Sequence, residues 1–219
     1  MIANPFPNEG NIYQYTFDME KNKWQLWTSL ISREPFPTQL EPHEIVVPTI
    51  DTTRYTYWLN VCCQNAILSH DLNRIAILFV GPTGTGKTIY IQQHLLSGLD
   101  HDKFTNISLG FSAQTTAGQT QDIIDGKLDK RRKGVYGPPM GKKCIVFVDD
   151  LNMPTKEEYG AQPPIELLRQ YMDHGGWYDN KEKVFRNIVD MMYVVAMGPP
   201  GGGRTFVTPR FLRWFNVIS

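Results

Sequence analysis

A chain of 219 residues with 41% hydrophobic residues has enough apolar material for one α/β domain and a smaller appendage. Its 22 basic residues balance 22 acidic ones, which argues against nucleic acid or an anionic membrane as a partner. Cys62, Cys63 and Cys144 form no CxxC pair, so the cysteines favour neither disulfides nor zinc, and no apolar run is long enough to span a bilayer. We therefore expect a cytoplasmic protein with no nucleic acid and no membrane partner.

The first 48 residues are predicted to form a β-hairpin and an extended linker. Apolar and polar residues alternate over 12–17 and 24–27, on either side of a polar turn at 20–23. The linker is predicted from four prolines between residues 33 and 48, because proline fixes φ and lacks a backbone donor. We place the domain boundary at Pro48, with the hairpin and linker over 1–48 and the main domain over 49–219.

The main domain alternates helical and strand patterns. Apolar residues recur at helical spacing over 53–70, and the next run, 75–80, is apolar throughout, as in a strand buried on both faces. Further strands are predicted at 105–109, 144–148 and 193–196. Strands that alternate with helices favour a doubly wound parallel α/β sheet. The basic, glycine-punctuated segment 127–143 is predicted to be an exposed insertion, either a solvated loop or a contact to an adjacent module rather than to nucleic acid.

A phosphate-binding loop follows the first of these strands. Residues 81–88 read GPTGTGKT, match the pattern GxxxxGK[ST] and precede a helical pattern over 89–96. Such a loop directs backbone N–H groups and a helix N-terminus at phosphate oxygens, while Lys87 reaches the β- and γ-phosphates and Thr88 offers its hydroxyl to Mg²⁺. ATP or ADP with Mg²⁺ is the predicted cofactor. The residues predicted to contact the nucleotide are Gly81, Pro82, Thr83, Gly84, Thr85, Gly86, Lys87 and Thr88.

Two acidic residues, Asp149 and Asp150, end the apolar strand predicted at 144–148. Asp149 is the predicted Mg²⁺ partner, and Asp150 is the candidate base that activates the attacking water. ATPases of this type usually carry Glu at the second position, and Asp falls short by about 1.5 Å, or one carbon–carbon bond. Since a misplacement of about 1 Å can cost on the order of 10²-fold in rate, we expect slow turnover. The alternative is that both acids only cap the strand.

These motifs together resemble an AAA+ module of a dynein heavy chain. The closest likeness is to the third module of an axonemal chain, and it covers nearly all 219 residues. The phrases that carry it are VGPTGTGKT at 80–88, FSAQTT at 111–116, QTQD at 119–122, KRRKGVYGPP at 130–139, FVDDLNMP at 147–154 and MGPPGGGR at 197–204.

The resemblance implies the large α/β subdomain of a six-module ring in which the third module binds nucleotide and regulates the motor cycle. The small helical lid is expected to be absent from this chain. The implied partners are the neighbouring AAA+ modules, other dynein chains and, through the full motor, the microtubule. The implied location is the cytoskeleton of the axoneme in a cilium or flagellum.

The resemblance also assigns roles to individual positions. Gly198 stands where many AAA+ proteins place a polar sensor residue, and glycine has no side chain to contact the γ-phosphate. Arg210 and Arg213 match the region of the arginine finger that serves a neighbouring module, although either could equally pair with a nearby acid. Pro48 and Thr49 match a segment that lies against adenine, with burial of the adjoining valine in the core as the alternative.

Three functional hypotheses follow. The first is a regulatory ATP-binding module with slow hydrolysis to ADP and phosphate. The second is a nucleotide-occupied structural module without significant turnover, and the third is an unrelated AAA+ remodelling ATPase. A GTPase is disfavoured because NKEK at 180–183 lacks the aspartate that completes NKxD.

Overall fold

A computed structural model describes residues 5–31, 45–68 and 75–219. The chain divides into two compact units, Met1–Trp58 and Leu59–Ser219, so the boundary predicted at Pro48 stays a prediction. Most of the linker predicted between residues 33 and 48 lies outside the described residues. No helix in the described ranges is long and apolar enough to cross a membrane.

The first unit contains the predicted hairpin. Strands β1 (Tyr15–Asp18) and β2 (Lys23–Leu26) pair antiparallel, and their rings stack edge to face, as Phe17 does on Trp24 at 5.1 Å. The hairpin begins later than the alternation predicts, because Ile12–Gln14 forms a 3-10 turn before it. A second 3-10 turn follows at Trp27–Leu30. Helix α1 spans Ile50–Leu68 and starts in this unit.

A five-stranded parallel sheet forms the centre of the second unit, in the order β11-β3-β10-β7-β4. β10 is buried along its whole length and β7 everywhere but its two ends, which explains their uninterrupted apolar sequences. The prediction of a parallel α/β sheet is confirmed. The elements of this sheet are β3 (Ile77–Val80), β4 (Phe104–Gly110), β7 (Lys143–Asp149), β10 (Met191–Met197) and β11 (Asn216–Ile218).

Four helices connect and flank these strands. α4 is amphipathic: it buries Ile165, Leu168 and Met172 in the main core and closes with Gly175 in the left-handed region. The helix predicted over 89–96 begins earlier, at Lys87, and changes to a π-helical turn at His94–Gly98. The helices are α2 (Lys87–Gln93), α3 (Ala117–Asp125), α4 (Pro163–His174) and α5 (Pro209–Leu212).

A second sheet of four short strands was not predicted. Its order is β5-β6-β9-β8, with β5 (Asp129–Arg132), β6 (Val135–Gly137), β8 (Gly176–Tyr178) and β9 (Phe185–Ile188). The interpretation of 127–143 as a plain exposed insertion was therefore wrong in part. Lys130 and Arg132 are exposed, but Arg131 is largely buried, donates to the carbonyl of Pro138 and lies 3.6 Å from Asp190.

The order of the central sheet determines where the site forms. β10 lies between β3 and β7, and all three strands run parallel. Their carboxyl ends therefore meet at one edge, which brings together the loop after β3, the two acids at the end of β7 and the glycine-rich segment after β10. Ligands in open α/β sheets bind at this kind of edge.

Candidate nucleotide site

The phosphate loop connects β3 to α2 and depends on glycine at two positions. Gly84 has φ +81 and Gly86 has φ +79, both in the left-handed region that residues with a Cβ rarely adopt. A Cβ on Gly86 would also lie 2.6 Å from the ring of Tyr90. The loop is fastened to the sheet at its start, where the N–H of Gly81 donates to the carbonyl of Met197 at 3.3 Å.

The Lys87 ammonium lies across the inside of this loop. Its Nζ donates to the carbonyl oxygens of Gly81 at 2.8 Å and Pro82 at 2.6 Å, and to the hydroxyl of Thr85 at 3.1 Å. Partial burial lowers the pKa of Lys87, and the nearby Arg204 cation lowers it further, while Asp149 and Asp150 oppose the change. The loop therefore holds a cation where the pattern predicts contact with phosphate.

The structure brings Thr88 and Asp149 together, although they are 61 residues apart in sequence. The Thr88 hydroxyl donates to Asp149 Oδ2 at 2.7 Å, and Asp149 Oδ1 accepts the N–H of Asp150 at 2.9 Å. Hydroxyl and carboxylate oxygens are the hard donors that Mg²⁺ takes from proteins beside nucleotide phosphates. The donor set and the adjoining lysine loop therefore fit a magnesium–nucleotide complex.

Asp150 occupies a tight turn directly after β7. It has φ +51, a conformation that Asp tolerates better than most residues, and the next N–H, of Leu151, donates to the carbonyl of Ala196. Its side chain is about half exposed, and Oδ1 lies 3.4 Å from a guanidinium nitrogen of Arg204. The carboxylate thus stands at the edge of the site beside a cation, and its role as a base stays a prediction.

Arg204 is the residue of this site that sequence reasoning did not assign. Its guanidinium donates to the Thr83 hydroxyl of the phosphate loop at 2.8 Å and also approaches Asp150. The sequence feature that could have indicated Arg204 is the glycine run at 201–203, because three successive glycines indicate a tight turn that reverses the direction of the chain. Contacts 121 and 54 residues apart cannot be derived from spacing.

A buried asparagine supports the segment that carries Arg204. Asn152 is fully buried, and its side-chain Nδ2 donates to the backbone carbonyl of Gly198 at 2.8 Å. The backbone carbonyl of Asn152 accepts two hydrogen bonds from Thr205, one from the N–H and one from the hydroxyl. Gln162, also buried, donates to the Thr205 hydroxyl at 2.6 Å. These bonds fix both ends of the 198–205 loop to the segment after β7.

The two arginine-finger candidates differ in their surroundings. Arg213 donates to Asp173 at 2.9 Å and lies over the ring of Trp214 at 5.2 Å, as the ion-pair alternative anticipated. Arg210 is exposed and has no ion-pair partner among the described residues. Within those residues, neither arginine contacts the phosphate loop.

Pro48 and Thr49 belong to the first unit. Thr49 directly precedes α1 and caps its N-terminus: its hydroxyl accepts the N–H of Thr52 at 3.2 Å, and its carbonyl accepts the N–H of Thr53 at 3.0 Å. Pro48 is half-buried just before this cap. Their contact with adenine stays a prediction.

Comparison with known proteins identifies the family. A model described as the P-loop containing dynein motor region matches residues 34–219. Dynein axonemal heavy chain 12 of Rattus norvegicus is 49% identical over 98% of this chain, and dynein axonemal heavy chain 3 of Homo sapiens is 50% identical over 99%. Dynein axonemal heavy chain 1 of Mus musculus is 47% identical over 98%.

The chain spans only 7%, 5% and 5% of these three relatives, respectively. Among solved structures, one of C. elegans PCH-2 aligns with 78% of this chain and 41% of that chain, at a TM-score of 0.47 and 13% identity, a likeness too weak to carry a conclusion. The match over residues 34–219 and the identities of 47–50% agree with the phosphate loop and the parallel sheet. The chain belongs to the P-loop containing dynein motor region family and is an AAA+ α/β module of that motor.

Proposed function

We propose that this chain is the third AAA+ module of an axonemal dynein heavy chain, where it binds ADP or Mg-ATP and regulates the motor cycle with slow hydrolysis. The observation that carries the proposal is the 2.7 Å contact between the Thr88 hydroxyl and Asp149, next to the Lys87 ammonium. A cation inside a glycine loop and a paired hydroxyl and carboxylate are the groups that a magnesium–nucleotide complex requires.

The residues of the candidate site have separate roles in this proposal. The backbone of 81–86 and the N-terminus of α2 hold the phosphates, and Lys87 exchanges its bonds to loop carbonyls for bonds to phosphate oxygens. Thr88 and Asp149 hold the magnesium ion, whose chemistry is to neutralise charge on the phosphates. Pro48 and Thr49 contribute to the adenine side.

Slow hydrolysis is proposed because the groups that act on water are weak. Asp150 has one methylene fewer than Glu, and its Oδ1 already faces a guanidinium nitrogen of Arg204 at 3.4 Å instead of standing free to hold a water molecule. Gly198 supplies no side chain at the sensor position. The same two observations support the second candidate, a nucleotide-occupied structural module with no significant turnover.

Nucleotide binding is tested by titrating the 219-residue chain with ADP and Mg-ATP and measuring heat. Wild type should bind both, and Lys87→Ala should weaken binding at least about tenfold, because a hydrogen bond to a charged group contributes about 1.5–3 kcal/mol. Lys133, an exposed lysine in the turn between β5 and β6, gives the matched control: Lys133→Ala should leave both affinities unchanged. Equal affinities in Lys87→Ala and wild type would contradict the proposed site.

Turnover separates the two candidates. Steady-state phosphate release by wild type should be barely above background, and Asp150→Asn should remove what remains. A robust rate that disappears in Asp150→Asn would contradict a slow regulatory module. A rate that is undetectable under conditions of demonstrated Mg-ATP binding would favour the structural module.

The remaining parts of the proposal concern the assembled motor. The neighbouring AAA+ modules and other dynein chains are the partners, the microtubule is reached through the full motor, and the location is the axoneme of a cilium or flagellum. Arg210 or Arg213 acts as the arginine finger in the site of a neighbouring module.

A further inference from the structure

Arg204 joins the two halves of the candidate site. Its Nη1 donates to the Thr83 hydroxyl in the phosphate loop at 2.8 Å, and its Nη2 lies 3.4 Å from Asp150 Oδ1, beyond β7. The guanidinium thus spans the edge of the sheet between the residues predicted to hold phosphate and the residue predicted to activate water.

The glycine run at 201–203 puts Arg204 in this place. Gly201 and Arg204 exchange backbone hydrogen bonds at 3.0 and 3.1 Å, which closes a two-residue turn. The residues inside the turn, Gly202 and Gly203, have φ +59 and +86, the left-handed pair that such a turn requires. The turn reverses the chain after β10 and brings Arg204 back over Gly198.

Gly198 is small for a reason that the sequence did not suggest. A Cβ at this position would lie 2.7 Å from Cδ, Nε and Cζ of Arg204, well inside van der Waals contact. Because Gly198 has no side chain, the Arg204 side chain can pass through the space that a Cβ would occupy at the sensor position.

The contacts of Arg204 leave capacity for an anion. Its side chain is 22% exposed, and its buried Nε has no hydrogen-bond partner among the described residues. Its one ion-pair partner in the described part of the chain, Asp150, lies 3.4 Å away and is 47% exposed. The Arg204 guanidinium and the Lys87 ammonium both donate to the phosphate loop, at the Thr83 hydroxyl and the Pro82 carbonyl, so an anion bound between these two cations would relieve their mutual repulsion.

We propose that the Arg204 guanidinium binds the γ-phosphate of ATP and so makes the affinity of this site depend on the terminal phosphate. This role rests on the proposed nucleotide site and assigns to it a sensing residue that enters through Gly198. ADP lacks the group that Arg204 binds, whereas Lys87 and the loop backbone contact the phosphates of both nucleotides.

The test compares ADP with the slowly hydrolysed analogue ATPγS, both with Mg²⁺, by titration calorimetry of the 219-residue chain. Arg204→Ala should weaken ATPγS binding about tenfold or more, because charge-assisted bonds are lost, and change ADP binding by less than about twofold. Arg204→Lys should recover part of the loss, since lysine keeps the charge without the two-pronged geometry.

A second variant tests the path through Gly198 with the arginine retained. Gly198→Ala should displace the guanidinium and reduce ATPγS affinity selectively, as Arg204→Ala does. The double variant should lose no more than Arg204→Ala alone, because both changes remove the same contact. Arg132→Ala, an exposed arginine of the second sheet, is the matched control, and thermal unfolding without nucleotide checks that each variant folds.

The possible outcomes separate this role from the proposed function. Equal losses for ADP and ATPγS in Arg204→Ala would mean that the arginine only braces the loop, and no loss for either would mean that it is dispensable; both results overturn the inference. Additive losses in the double variant would overturn the path through Gly198. Failure of wild type to bind either nucleotide would overturn the proposed function and this inference with it.

Discussion

Replacing Thr88 by Val tests the magnesium half of the site most directly. Valine keeps the branched shape of the side chain and puts a methyl group in place of the hydroxyl that donates to Asp149 Oδ2 at 2.7 Å. A bond of this length to a carboxylate is among the stronger hydrogen bonds in proteins. The variant therefore isolates one oxygen, which holds Asp149 in the structure and is the predicted ligand of Mg²⁺.

Thr88→Val should change two quantities, the free energy of unfolding and the affinity for Mg²⁺. Without nucleotide, losing a hydrogen bond to a charged group at a partly exposed site should lower the free energy of unfolding by about 1.5 kcal/mol, near the lower end of the range. For a chain of this size that corresponds to a decrease in Tm of about 3–6 °C. With nucleotide, changes around a bound metal commonly cost about 10–100-fold in metal affinity, and loss of a direct ligand should cost at least about tenfold.

The assay measures ATPγS affinity as a function of Mg²⁺ concentration. Wild type should bind more tightly as Mg²⁺ rises, and Thr88→Val should require at least about tenfold more Mg²⁺ for the same gain. Thr105→Val, a partly buried threonine on β4, is the matched control for the loss of a hydroxyl. An unchanged Mg²⁺ dependence in Thr88→Val would refute the assignment of Thr88 and Asp149 as the metal-binding pair.

Two further predictions concern the arginines and the buried thiols. Arg213→Ala should lower the free energy of unfolding by about 0.2–1 kcal/mol, because it breaks the ion pair with Asp173 at a side chain that is 61% exposed. Arg210→Ala should leave the free energy of unfolding unchanged and should slow phosphate release at the neighbouring module of an assembled ring. A loss of stability in Arg210→Ala together with slower phosphate release in Arg213→Ala would contradict this assignment. Burial raises the pKa of Cys63 and Cys144 to about 12, so the folded chain keeps protons that the unfolded chain loses above pH about 9. The free energy of unfolding should therefore fall by about 1.4 kcal/mol per pH unit for each thiol between about pH 9 and 12. Cys144→Ala should remove the part of this pH dependence that comes from Cys144. Urea unfolding measured over this pH range would contradict the prediction if wild type and Cys144→Ala gave the same slope.

Three strands of the central sheet, β3, β7 and β10, were predictable because they are buried on both faces. The apolar runs that contain β3, β7 and β10 have no polar interruption, and the signal is strong even in a single sequence. The phosphate loop was predictable for a different reason, since its glycines and lysine must stand at fixed spacing to surround a phosphate. Both signals are local.

The strands of the second sheet could not be predicted from local sequence patterns. β5 reads DKRR and β6 only VYG, and neither has the length or the alternation that identifies a strand. β5 pairs with its chain neighbour β6 and β8 with its neighbour β9, but the two pairs form one sheet only because β6 also pairs with β9, which sets Val135 opposite Asn187, far away in the chain. Tertiary context overrode the local preference of the charged residues.

The sequence by itself determined the elements of the site: the loop at 81–88, the acids at 149 and 150 and the missing side chain at 198. Only the tertiary structure decided what these elements do to one another, because the order of the parallel strands brings their carboxyl ends to one edge. That order places the Thr88 hydroxyl on Asp149 and directs Arg204 through the space at Gly198 to Thr83. Strand order depends on packing between distant segments, and the spacing of residues along the chain carries no record of it.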